Sequence, residues 1–300
     1  MESSACRNLD LVVRNLPKAD LQGLIDRIVC LPTMPQLARQ ITVMVDDPKS
    51  SASQLGDAIK RDPATAARIL RLVNSAYYGL ATSVKTVNQA VGLLGYKVIR
   101  SIAVSTSLPT AFKGLVNCGA FSQERFWKHS LLTACLCKSI AKKCRGIDPE
   151  AAFDLGLLHD IGKLVLACYA AEHTAAIIGL ARSHQLSYDR VEKELLSTTH
   201  SEVGAWLAGK WKFPEGLVQE IREHHLSTGC ENDHLTAVLQ FANCLCKAKG
   251  YRCSGSYEKV TISPALSLWL NQRKWNIADF FSVVDQEVQN SKALLAGIQG

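Results

Sequence analysis

The sequence predicts an all-α chain folded as two helical lobes, and three observations predict it. Apolar residues recur at three- and four-residue spacing through most of the chain, the period of an amphipathic helix. No convincing run alternates apolar and polar residues over the length of a strand. Helix-start signals return repeatedly: Ser51 with Gln54, Asp62-Pro63, Asp148-Pro149, and Thr199 with Glu202.

In chain order, residues 34–46 place Leu37, Ile41, Met44 and Val45 on one stripe. Ser51 and Gln54 form a capping box for a short helix, and Asp62-Pro63 opens the next, with Ala66, Ile69, Leu70, Val73 and Ala76 or Tyr77 as its buried stripe. Asn74 and Ser75 can bond backbone where that helix ends, and Gly79 suits a C-terminal cap. Asp148-Pro149 opens the most apolar helix, expected over 149–170. Thr199 and Glu202 open a helix over 200–211, with Trp206, Trp211 and Phe213 as core anchors. Pro214 starts a helix ending at His224-His225, and helices over 232–249 and about 276–296 complete a count of a dozen or more. The last carries a stripe of Phe280, Val283 or Val284, Val288 and Leu294 or Leu295, expected to pack back on the bundle.

The chain has 300 residues, 47% hydrophobic and 20% charged, a globular balance with ample core. No stretch approaches the roughly 18–20 apolar residues of a membrane span, and the acidic opening lacks a secretory h-region. The expectation is a soluble cytoplasmic protein. Eleven cysteines, with no CxxC, read as small buried hydrophobes of a reducing compartment. Residues 1–120 hold 14 basic against 8 acidic residues, but singly and without interleaved aromatics, so nucleic acid is not the expected partner. The softest stretches are 113–120 and 249–258; the first divides a basic front lobe from a back lobe holding all eight histidines.

Within GLLHDIGKLVLA, residues 156–167, a His159-Asp160 doublet is expensive to bury unless paired or bound to an ion. Lys163 follows on the same side of the helix, and Gly156 and Gly162 leave room for another backbone. His129, His200 and His224-His225 sit near the ends of three other helices, with Asn243 in a further one. Several helices each giving a polar residue is how helical bundles build metal sites. The dipole at the start of its helix is expected to keep His200 neutral. The alternative is a satisfied polar core. His173, His184 and His234 lack evident partners.

The order His129, His159-Asp160, His200, His224-His225, Asn243 resembles the HD superfamily of metal-dependent phosphohydrolases, including the HD-GYP phosphodiesterases. The blocks LPTMPQLARQ, RILRLVNSAYYG, VNQAVGLLGYKVIRSIAV, FWKHSLLTA and LLHDIGK look like the HDOD domain, the HD-related output domain of bacterial signalling proteins. The resemblance covers about 22–246, with a front lobe at 22–112, an HD-like lobe at 121–246, an N-terminal extension 1–21 and a C-terminal helical extension 247–300. It implies a regulatory module binding a signalling partner or ligand, or alternatively a phosphohydrolase acting on a nucleotide or cyclic dinucleotide. It further implies one or two transition-metal ions (iron, zinc, nickel or manganese) held by His129, His159, Asp160, His200, His224, His225 and Asn243. Asp160 would bridge the ions and Lys163 would ground a substrate phosphate. The sequence departs at Asn243, where the hydrolases place an aspartate, and at Arg125, where some relatives use a glutamate. No GYP motif follows the histidine pair.

Overall fold

The computed structural model describes residues 34–299 apart from 48, 197 and 227–233. The expected extension 1–21, Cys6, Cys30, Cys230 and the His234 side chain lie outside the described residues. Among the described residues every regular element is helical. The front lobe comprises α1 (Gln36–Asp46), α2 (Ala52–Lys60), α3 (Pro63–Val73) and α4 (Val87–Ala111). The back lobe comprises α5 (Gln123–Ala141), α6 (Pro149–Leu158), α7 (Ile161–Tyr169), α8 (Ala171–His184), α9 (Tyr188–Leu196), α10 (His200–Lys210), α11 (Glu215–Glu223) and α12 (His234–Ala248). Then come α13 (Pro264–Gln272), a single 3-10 turn (Ile277–Phe280) and α14 (Phe281–Gln299).

The starts lie where short polar side chains can hold orphaned helix amides. Ser51 and Gln54 close a reciprocal capping box on α2, and Asp62 accepts the Thr65 amide at 3.1 Å at the head of α3. Thr199 and Glu202 do the same for α10. One buried apolar cluster runs from Met34 to Leu294 through both lobes, with Phe112, Phe126, Phe241 and Trp269 among its largest members.

Asn74 is the hinge pin of the front lobe. Its amide nitrogen donates to the carbonyls of Leu70 and Val84 at 2.8 and 2.9 Å, and its oxygen accepts the Val84 N–H at 2.7 Å. That folds the segment after α3 back upon it and carries Tyr77 and Tyr78 onto the back lobe. Their rings lie 5.9 and 5.8 Å from Lys138 Nζ, which pairs with Glu150 at 2.5 Å. On α4, Arg100 and Ser101 grip the buried Asp154 of α6 at 2.8 and 2.7 Å. Charge pairs of this kind add little net stability, but they fix which faces meet.

Two expectations are corrected. The helix expected over 149–170 is broken: α6 stops at Leu158, His159 and Asp160 form a turn, and α7 restarts at Ile161. The apolar run could not signal this, because both halves are buried all round. The stretch 249–258, soft by composition, is packed at its centre: Cys253, Ser254 and Ser256 are at most 2% exposed, and Gly255 between them is buried. Small side chains there allow close packing: Gly255, at φ +88°, lies against the Tyr188 ring. α14 packs on α5 and also touches α3 and α4, burying Val284, Val288 and Leu294.

Candidate metal centre

Two glycines bring the carrier helices together. A Cβ on Gly156 would stand 2.7 Å from Cα of Ala134, so α6 lies directly on the backbone of α5, which carries His129. A Cβ on Gly162 would collide with the carbonyl oxygen of His200, so α7 lies on the first turn of α10. The break between α6 and α7 then points His159 and Asp160 into the space these contacts enclose. Asp160 stands at the N-cap of α7 but makes no side-chain capping bond, leaving its carboxylate to Lys163 and the histidines.

The imidazoles are oriented by what their Nδ1 atoms touch. Nδ1 of His129 faces the Tyr251 carbonyl at 2.8 Å, that of His159 the Gly156 carbonyl at 2.8 Å, and that of His224 the Ile221 carbonyl at 2.7 Å. Nδ1 of His200 faces the Glu192 carboxylate at 2.5 Å. A carbonyl or carboxylate oxygen only accepts, so each of these Nδ1 atoms carries a proton, and in His129, His159 and His224, whose protonation burial disfavours, Nε2 is a bare lone pair. The Nε2 atoms converge on one carboxylate: those of His129 and His159 lie 3.9 and 3.5 Å from Asp160 Oδ2, and those of His200 and His224 lie 3.2 and 3.8 Å from Oδ1. Nε2 of His129, His159 and His224 and Oδ1 of Asp160 are all buried without a hydrogen-bond partner. Lone pairs facing an anion repel one another unless a positive charge lies among them. This donor set fits a metal ion.

The ligand atoms fall into two groups that share Asp160. His129, His159 and Asp160 form a sealed group, and Asp160, His200, His224 and His225 form another. Within each, the ligand atoms lie within 4.8 Å of one another. His225 completes the second group with its Nε2 2.9 Å from that of His200.

Electrostatics keep the set ready to bind. Burial, helped by the neighbouring His159, pushes His129 down to about 3. Burial likewise lowers His159, and burial with adjacent imidazoles holds His224 and His225 well below the usual histidine range. Burial opposes the charge on Asp160, but the Lys163 ammonium, 2.9 Å from Oδ2, and the hydrogen bond with His200 hold its carboxyl well below the usual carboxylate range. His200 corrects an expectation. Burial opposes its protonation, yet the Glu192 carboxylate, with Asp160 on the other side of the ring, outweighs burial and raises its proton affinity.

The other predicted residues can be placed. Asn243, on α12, lines a cleft of about 250 Å³ beside His224 and His225, and its Oδ1 is buried without a hydrogen-bond partner. Lys163 does not line that cleft; its Nζ donates to Asp160 Oδ2 at 2.9 Å and sits 5.0 Å above the Tyr188 ring. Arg125 is exposed, and His173 and His184 join neither ligand group. Of the cysteines, Cys118, Cys135, Cys137, Cys168, Cys246 and Cys253 are buried and, with Cys144 and Cys244, free. Sequence reasoning missed Glu192 and the Tyr251 carbonyl. Glu192 left a signal: it interrupts the apolar stripe of Tyr188, Val191, Leu195 and Leu196 on α9. The Tyr251 carbonyl left none, since backbone atoms carry no residue identity.

The profile of the HDOD domain matches residues 31–227. The chain belongs to the HDOD family. An HDOD domain protein of unknown function from Geobacter sulfurreducens is 22% identical and superposes with a TM-score of 0.75, covering 91% of this chain and 97% of that one. A candidate phosphohydrolase from Shewanella amazonensis is 26% identical with a TM-score of 0.69, covering 91% of this chain and 98% of that one. A Treponema pallidum protein of uncharacterised function is 22% identical over 240 residues, 79% of this chain and 46% of that one. The chain thus spans less than half the length of the curated relatives it matches. Among the described residues no helix is long and apolar enough to cross a membrane.

Proposed function

We propose that this HDOD protein is a metal-holding module of bacterial signal transduction, which binds a transition metal at the histidine centre and presents the resulting state to a signalling partner or ligand. The observation that carries this reading is the convergence of histidine Nε2 atoms on Asp160. Asp160 is the one carboxylate among these donors, which disfavours magnesium and suits iron, zinc, nickel or manganese. His129, His159 and Asp160 would hold one ion, and Asp160, His200, His224 and His225 a second. A bound ion supplies positive charge and, in hydrolases, a water of lowered pKa. Asn243 offers a neutral amide oxygen where the HD hydrolases have an aspartate, which favours holding an ion over turning over a phosphoester.

The cleft at His224, His225 and Asn243 favours a second reading, a phosphohydrolase acting on a nucleotide or cyclic dinucleotide. Lys163 serves in either case to hold Asp160 ionised and in place.

Elemental analysis of protein purified under low oxygen, without chelator or affinity metal, tests the first reading. One or two equivalents of a transition metal are expected, and His159→Ala/Asp160→Ala should lose them. A metal-free, folded wild type would overturn the reading and leave a polar core. Product release from a nucleotide panel, lost in the same double variant, would establish the hydrolase instead.

A further inference from the structure

Glu192 makes contacts that the ligand set alone does not explain. Glu192 is 0% exposed on α9, and one oxygen, Oε2, accepts both the ring Nδ1–H of His200 at 2.5 Å and the backbone N–H of His200 at 3.0 Å. Its other oxygen, Oε1, is buried with no hydrogen-bond partner. A buried carboxylate whose hydrogen bonds are one ring N–H and one amide, both to a single oxygen, is poorly compensated. It is compensated when positive charge reaches it through His200. Gripping ring and backbone with the same atom leaves that ring little freedom, so its Nε2 stays aimed at Asp160 Oδ1, 3.2 Å away.

We infer that Glu192 is the positioning residue of the cleft-side metal group, fixing His200 as an Nε2 ligand and supplying from behind the negative charge that Asn243 does not supply in front. This inference rests on the metal reading above and names the residue that governs that group. A carboxylate behind a ligating histidine sets its tautomer and raises its basicity, and loss of such a partner weakens metal binding by about 10- to 100-fold. The competing account is that Glu192 only caps α10 through the His200 amide. The two accounts differ in the readout they move.

Cobalt(II) titration followed by its visible absorption, on wild type and on the near-isosteric Glu192→Gln, separates them. Weaker cobalt binding by about 10- to 100-fold, a changed visible spectrum and a little-changed melting temperature of the chelated protein are expected. Unchanged affinity and spectrum, with or without a lower melting temperature, would overturn the inference and leave a cap. A wild type that takes up no cobalt would overturn both this inference and the metal reading; a wild type that binds while Glu192→Gln binds equally well overturns this inference alone. Should the variant fail to fold, nitrogen-15 histidine NMR of the zinc-loaded wild type decides. His200 ligating through Nε2 with its proton on Nδ1 supports the inference, and the opposite tautomer overturns it.

Discussion

His129 shows how a single side chain here serves a centre rather than the core. Its Nδ1–H goes to the Tyr251 carbonyl, and its other nitrogen is buried, unbonded and turned to Asp160. That neutrality has a pH signature in the metal-free protein. Burial depresses His129 from its ordinary 6.5 to about 3, so the unfolded chain binds the proton first. Its contribution to stability is therefore fully present above about pH 6.5 and is lost as pH falls towards 3. His159, His224 and His225 are shifted in the same direction, whereas His200, raised by Glu192, works against them. The chelated protein should lose melting temperature between pH 7 and about pH 4, and His129→Gln should flatten that slope. A slope unchanged in His129→Gln would refute a buried neutral imidazole at this position.

α6 approaches α5 at Gly156, and α7 approaches α10 at Gly162, close enough for backbone to meet backbone, and those contacts set the spacing of the centre. Gly162 lies against the carbonyl of His200 and within reach of Gly204, leaving no room for a methyl group. Gly162→Ala should destabilise by on the order of 2–3 kcal/mol, because backbone rather than a flexible side chain would have to move. Gly179, in the middle of α8, is the control, since a methyl group there would meet no atom within 4 Å. Gly179→Ala should stabilise by about 0.5–1 kcal/mol through helix propensity and a less free unfolded chain. Urea unfolding of the pair checks both signs, and equal effects would mean that the contact at Gly162 is not tight.

α14 bridges the two lobes. α14 touches α5 of the back lobe and α3 and α4 of the front lobe, and Glu287 accepts the Ser139 hydroxyl at 2.5 Å. Arg100 of the front lobe with Asp154 of the back lobe, and Tyr77 and Tyr78 of the front lobe against Lys138 of the back lobe, fix how the lobes face each other. A chain ending at Phe280 would uncover the faces that bury Val284, Val288 and Leu294. At roughly 1.5–3 kcal/mol for each such side chain, its urea midpoint should fall well below that of the full chain. A midpoint equal to that of the full chain would show that α14 is not part of the cooperative unit.

Local period and the chemistry of named side chains were enough to predict the helical class and the capping of α2, α3 and α10. His129, His159, Asp160, His200, His224 and His225 were legible as a set, and they do gather. The break at His159-Asp160, the burial of 253–256 and the pairing of Glu192 with His200 were not legible in the sequence and come from packing between separate elements. Each of these depends on a partner distant in the chain or on a backbone atom: the break answers to helices packed across Gly156 and Gly162, and the protons of the histidines answer to carbonyls of Tyr251, Gly156 and Ile221. Periodicity reports which face of a helix is buried; it carries no information about what that face meets, and here the meeting makes the site.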